Sequence, residues 1–313
     1  MFGFFLVMPL MIIIITGNVL RVRGFYSAQD ISALTKTLYW VILPPLLFRT
    51  SYSAGSEVLK QPNLLLACTL CYLITVLVTL LISLKYTHKG DIKRTAVAVF
   101  ASFRSNNLYL GFPVVQMALG EAGLHEASIY IAVSTIPFQF ISLAAGEIVI
   151  SGRLSSDGIR QIVKKLCTNP LLISCILGVA AAVVKLPIHF VLDETMKLMG
   201  GAATAVALLA LGGSLDLSCL SRIAGIMKET WADIIIKLVF VPVIMYLLLQ
   251  LFPVSPELFM VTVMLTSMPN AVNCFILAKG MGMDGKYAAD LVAATTLLGI
   301  LSIPAWAYLL GMV

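Results

Sequence analysis

The stretch "RSNNLYLGFPVV", residues 104–115, decides how this chain is read. Two adjacent asparagines, a glycine and a proline interrupt an otherwise apolar run. In water such a composition makes a turn. In hydrocarbon no water pairs the freed N–H and C=O groups, so a break survives only where protein or a wet cavity satisfies them. The surrounding solvent is therefore the first question.

Composition answers it. Of 313 residues, 60% are hydrophobic and 12% charged, and the mean hydropathy is +1.00. Apolar runs recur at 1–19, 64–84, 171–184, 202–211 and 234–251, too many for the core of one soluble domain. The chain reads as an all-α polytopic membrane protein. The first run lacks a basic n-region and an A-x-A site before Arg21, so a first membrane helix is expected there rather than a cleaved signal. Cys68, Cys71, Cys167, Cys175, Cys219 and Cys274 lie mostly in or beside apolar segments, without zinc-site or disulfide-scaffold spacing. The net charge of +6 sits in short loops, which removes nucleic acid as a partner and leaves topology as the meaning of the charge.

A coarse division gives ten spans, near 3–20, 31–52, 63–84, 95–119, 127–150, 169–185, 195–215, 230–251, 256–278 and 287–311. Loops after the odd-numbered spans carry fourteen basic residues, among them Arg21, Lys89, Arg94, Arg153, Lys164, Arg222 and Lys286. The opposite loops carry Arg49, Lys60, Lys185 and Lys197. The positive-inside rule then places the odd-span loops in the cytoplasm and both termini outside.

A shift of 161 residues lays "MPLMIIIITGNVL" (8–20) on "NPLLISCILGVAA" (169–181), matching Pro9 with Pro170 and Gly17 with Gly178. The same shift carries Asn106 and Asn107 onto positions beside "PNAVN" (269–273). Two five-span halves of opposite orientation are expected: 1–152 and 169–313, joined by a cytoplasmic linker at 153–168. Spans 4 and 9 would be the broken ones, a recurring transporter device. Pro113 and Pro269 would free carbonyls, while Asn106, Asn107, Asn270 and Asn273 supply hydrogen bonds. Half-helix N-termini would offer positive dipole ends to an anion. The plainer alternative is a pair of proline-kinked helices whose asparagines only repair the backbone.

"FRSNNLYLGFPVVQMALG" (103–120), "GGAATAVALLALGGSL" (200–215), "MPNAVNCFILAKGMG" (268–282) and "DLVAATTLLGILSIPAW" (290–306) resemble the auxin efflux carrier family, in its bacterial form. The resemblance covers nearly the whole chain. It implies a ten-helix fold similar to bile-acid sodium symporters and sodium/proton antiporters, with scaffold and transport domains that each draw helices from both repeats. It also implies helices 4 and 9 crossing beside the substrate, with Pro113 and Pro269 at the crossing and Asn107 and Asn270 as polar partners. The long central loop of the plant carriers is missing, so their phosphoregulation does not carry over and auxin itself becomes a doubtful substrate.

Ionisable groups inside spans are costly and are functional candidates by default. Asp290, Glu147 and Asp233 are candidates for ion or proton coupling, and Arg104 for attracting a carboxylate. Asp233 and Lys237, four residues apart, are also placed to form an ion pair on one helix face. Gln116 and Gln139 add uncharged hydrogen bonding. His88, His125 and His189 read as surface residues, and the glycines of 200–213 as sites of close helix packing. The expected function is a secondary transporter moving a small organic anion, auxin-like or malonate- or malate-like, by alternating access. An anion channel or a membrane receptor is the alternative; no nucleophile–base pair or zinc-ligand set suggests an enzyme. No cofactor is expected. Sodium coupling, proton coupling and uniport stay open, as does a homodimer, in a bacterial inner membrane among lipid.

Overall fold

The computed structural model describes residues 2–152, 156–214 and 223–312, which are helical almost throughout. Arg153, Arg222 and Cys219 lie outside the described residues. Helix α1 is Phe2–Val22. In α2 (Ala28–Ala54) a capping box starts the helix: Ser27 accepts from the Asp30 amide, and Asp30 accepts from the Ser27 amide. Then come α3 (Pro62–Thr87), the short α4 (Ile92–Ala101) and the long α5 (Asn107–Ser151). After these lie α6 (Ser156–Cys167) and α7 (Pro170–Val183), which Asn169 caps with Pro170 behind it. Helices α8 (Phe190–Ser214) and α9 (Ile223–Leu251) come next. The chain closes with α10 (Pro256–Ser267), α11 (Cys274–Gly280) and α12 (Gly285–Leu309).

Six of these helices, α2, α3, α5, α8, α9 and α12, are long and apolar enough to cross a membrane among the described residues. Helices α7 and α10, and the Met8–Val22 part of α1, are shorter apolar helices. The expected ten spans in two inverted five-helix repeats are therefore corrected to an all-α polytopic membrane protein with six long apolar helices. Hydropathy windows overcounted because they do not see where backbone unwinds. Apolar sequence at 95–119 and at 256–278 each contains a break, between Ala101 and Asn107 and between Ser267 and Cys274. The expected fourth and fifth spans instead run together into α5, which bends at Gly120 with φ of +62°, a backbone angle suited to glycine. The 14 residues of α7 rise only about 21 Å, short of a hydrocarbon core of about 30 Å.

Helix α3 shows how the sequence sets one face to lipid: Leu66, Leu73, Leu77 and Leu81 are exposed while Ala67, Cys68, Cys71 and Tyr72 are buried. Helices α1 and α8 lie close along each other. A side chain on Gly17 would overlap the Leu209 backbone, and one on Gly212 the Ile14 backbone, so glycine sets that spacing.

Buried apolar side chains form two clusters. The larger takes Leu10, Leu47, Tyr72, Phe103, Leu208, Val241 and Met268, among others. The smaller takes Phe100, Ala101, Leu143, Leu238, Cys274 and Leu291. Across the first break Ala101 belongs to the smaller core and Phe103 to the larger. Across the second, Met268 belongs to the larger and Cys274 to the smaller. Both unwound segments thus pass from one core to the other at their border.

Candidate functional site

The two breaks meet. Ser105 and Asn270 form an isolated antiparallel bridge: the Asn106 amide donates to the Pro269 carbonyl at 2.8 Å, and the Ala271 amide to the Arg104 carbonyl at 2.9 Å. Each unwound strand supplies the partners that the other lost in leaving its helix, which is how non-helical backbone survives inside such a protein. Side chains complete the repair. Asn270 Nδ2 donates to the Ala101 carbonyl at 2.7 Å, closing the end of α4, and the Asn270 amide donates to Thr295 Oγ1 of α12 at 3.2 Å.

Beside the crossing lies a cavity of about 100 Å³, lined by Arg104, Ser105, Asn106, Asn107, Gln139 and Asn273, and also by Tyr39, Ser134 and Phe138. Arg104 is 1% exposed. Its Nη1 donates to Gln139 Oε1 at 2.9 Å and to Ser142 Oγ at 3.1 Å. Its guanidinium carbon sits 4.9 Å from the ring centres of both Phe100 and Phe138, cation–π contacts that hold the fork in place. No carboxylate pairs with it among the described residues. Arg104 Nε, Asn106 Nδ2 and Asn107 Oδ1 are buried without a hydrogen-bond partner.

Of the residues singled out in the sequence, Arg104, Asn106, Asn107, Gln139 and Asn273 line this cavity. Asn270 and Pro269 build the crossing behind it. Pro113 is buried in the first turn of the helical segment from Phe112, past the break. Gln116 is elsewhere: it accepts from Thr204 Oγ1 at 3.1 Å and lines a second cavity of about 550 Å³ with Arg49, Glu121 and Lys197. Leu108 borders both cavities.

None of the three acidic candidates lines the crossing cavity. Asp290 lines a third cavity of about 380 Å³ with Arg94, Glu229, Asp284 and Lys286. Glu147 is half-buried, and its carbonyl accepts from Ser151 Oγ. Asp233 is buried and accepts from the Tyr287 hydroxyl at 2.6 Å, with His88 Nε2 at 3.4 Å. His88 is therefore not a surface residue; it is 5% exposed and stacks edge-on against Tyr287. The Asp233–Lys237 ion pair is absent as well. A wider π-turn at Ile236–Phe240 changes the helical phase after Asp233, and Lys237 Nζ donates instead to Ser105 Oγ and the Thr266 carbonyl, each at 2.8 Å. Sequence reasoning missed Lys237 as part of the crossing because an acid four residues away offered a simpler partner. It also missed Ser105, Ser142 and Tyr39, whose residue types are too common to stand out.

Residues 156–307 match the model of a family described as membrane transport protein. Over 306 residues the chain is 26% identical to an uncharacterized transporter of Methanothermobacter thermautotrophicus, covering 97% of each. It is 25% identical to a Rhizobium meliloti protein named "Putative malonate transporter", covering 97% of this chain and 95% of that one. To auxin efflux carrier component 5 of Arabidopsis thaliana it is 21% identical, over 91% of this chain and 90% of the carrier. These relatives are named as transporters or carriers, and the similarity runs along nearly the whole chain. The chain is a membrane transporter related, at low identity, to the membrane transport protein family.

Proposed function

We propose that the protein is a secondary transporter that carries a small organic anion by alternating access, holding its carboxylate in the cavity at the crossing. The observation that carries this reading is buried Arg104, with no carboxylate partner among the described residues and unpaired donors beside it at its own Nε and at Asn106 Nδ2. A buried cation without a counter-charge is costly. A substrate carboxylate accepting from those two donors would supply the charge and both missing bonds. Asn107 Oδ1 would accept from a substrate hydroxyl or a bridging water. A relative named for malonate and another named for auxin efflux agree with an acidic substrate.

Alternating access finds support in the border position of the crossing. Backbone that passes from one core to the other, held by a few hydrogen bonds, is placed to move when one body shifts against the other. We also propose a bacterial inner membrane, with the end that carries Lys85, Lys89, Arg94, Lys228 and Lys286 facing the cytoplasm.

Calorimetric titration of purified protein with malonate, malate, succinate, indole-acetate and neutral malonamide tests the anion reading. Carboxylates should bind and the diamide should not. Arg104→Gln should weaken malonate binding roughly 10- to 150-fold, the loss of a hydrogen bond to a charged group. Equal binding of malonate and malonamide would refute carboxylate recognition here.

A further inference from the structure

Lys237 is a second buried cation at the crossing, fully removed from solvent. It lies in the π-turn of α9, and both of its partners belong to the crossing. Ser105 lines the cavity and sits in the bridge to Asn270. The Thr266 carbonyl belongs to the last turn of α10, where carbonyls lose their helical donors and carry the negative end of the dipole. Ser105 Oγ also lies 3.2 Å from that same carbonyl. The titratable groups facing Lys237 are the thiols of Cys71, from α3, and Cys274, from α11; Arg104 precedes its partner Ser105. No carboxylate lies within ion-pair distance among the described residues.

An ammonium has three N–H donors and a neutral amine has two. Two acceptors face Lys237 Nζ. The site therefore pairs both N–H groups of the amine and leaves over either its lone pair or, when it is protonated, the third N–H of the ammonium. A group with this geometry gives up a proton without losing its place, provided something else decides when it is charged. An anion on the far side of Ser105 does so. A carboxylate in the cavity stabilises the charged form, and by reciprocity the charged form binds the carboxylate more tightly, by the same factor.

Resting on the anion reading, we propose that Lys237 is the proton carrier of this transporter, so that anion and proton load from one side and leave together on the other. On release a Lys237 N–H bond breaks, its electron pair stays on nitrogen and water takes the proton. On reloading the nitrogen pair takes a proton from water on the opposite side. Lys237 Nζ also fills the place between the Ser105 hydroxyl and the Thr266 carbonyl, so no cation shares those two oxygens while it is there.

The test uses full-length protein in liposomes, with labelled malonate and the membrane potential clamped. A pH gradient, acid on the malonate side, should drive accumulation of about tenfold per pH unit for one proton. Replacing sodium with potassium should change nothing. Lys237→Arg keeps the charge but holds its proton throughout; it should bind malonate and give no accumulation on a pH gradient. Wild-type accumulation that follows sodium and ignores pH would overturn the Lys237 role while leaving anion transport standing, as would wild-type behaviour of Lys237→Arg. A substrate-free arm separates this role from the anion reading. Detergent-purified wild type, titrated from acid to alkaline pH with an indicator dye, should release one proton more than Lys237→Gln over the range in which the gradient drives uptake. Equal release overturns the proposal whether or not malonate binds.

Discussion

At the scale of single residues, neighbouring asparagines at the crossing have different tasks. Asn270 is fully buried and its amide closes the end of α4 through the Ala101 carbonyl. Asn107 lines the cavity, and its Oδ1 has no partner. Asn270→Ala should therefore lower thermal stability by roughly 1–3 kcal/mol, the cost of leaving a buried carbonyl unpaired. Asn107→Ala should leave the melting temperature nearly unchanged and weaken malonate binding. Scanning fluorimetry and calorimetric titration of both variants check this; a stability loss for Asn107→Ala as large as that of Asn270→Ala would show that both are structural. Sequence reading treated the pair alike because residue type reports hydrogen-bonding capacity and not where the partners are. It singled out Arg104, Asn106, Asn107, Gln139 and Asn273, which line one cavity, because polar residues stand out in apolar surroundings. Lys237 stood out equally and was matched to Asp233, since the π-turn that separates them has no signature in residue type.

At the scale of elements, two breaks were legible from Asn, Gly and Pro in apolar runs; the second lies at the expected Ser267–Asn273, while the first, expected at Ser105–Pro113, lies between Ala101 and Asn107, so that Pro113 is already helical. The course of the chain beyond each break was not legible. The segment after Gly111 continues past the bend at Gly120 to Ser151 without a loop, because a glycine at positive φ turns the backbone within one residue and hydropathy registers no polar gap. The buried His88–Asp233–Tyr287 group was equally hidden. It ties the residue after α3 to α9 and α12, and its members are far apart in sequence. Periodicity and composition thus reveal that a helix exists, while helix length and the contacts of buried polar groups depend on tertiary partners.

At the scale of the whole molecule, ion pairs join residues far apart in the chain. Arg94 pairs with Glu229 and Asp284, and Arg49 with Asp193. If the end richer in lysine and arginine faces the cytoplasm, single cysteines at Lys89 and Lys164 should resist a membrane-impermeant maleimide in intact cells, while tags at both termini should be accessible. Labelling of the two cysteines together with protected tags would invert the orientation. Polytopic character was legible from composition alone. The count of spans was not, because a membrane protein needs every backbone group satisfied but does not need every apolar segment to run the full thickness.

Leu108 lines both the crossing cavity and the larger one with Arg49 and Lys197; on the anion reading it would be a valve whose setting is the volume of one side chain. A substrate reaching Arg104 from the larger cavity must pass an aliphatic group that offers its charge no hydrogen bond, so the barrier is one of dehydration and falls as the obstruction shrinks. Leu108→Ala should speed malonate entry and exit together in stopped-flow binding while leaving their ratio, the affinity, within about threefold, a change of less than about 1 kcal/mol. Leu108→Trp should slow both. Unchanged rates in both variants would mean that substrate takes another route, and the larger cavity would then be no vestibule.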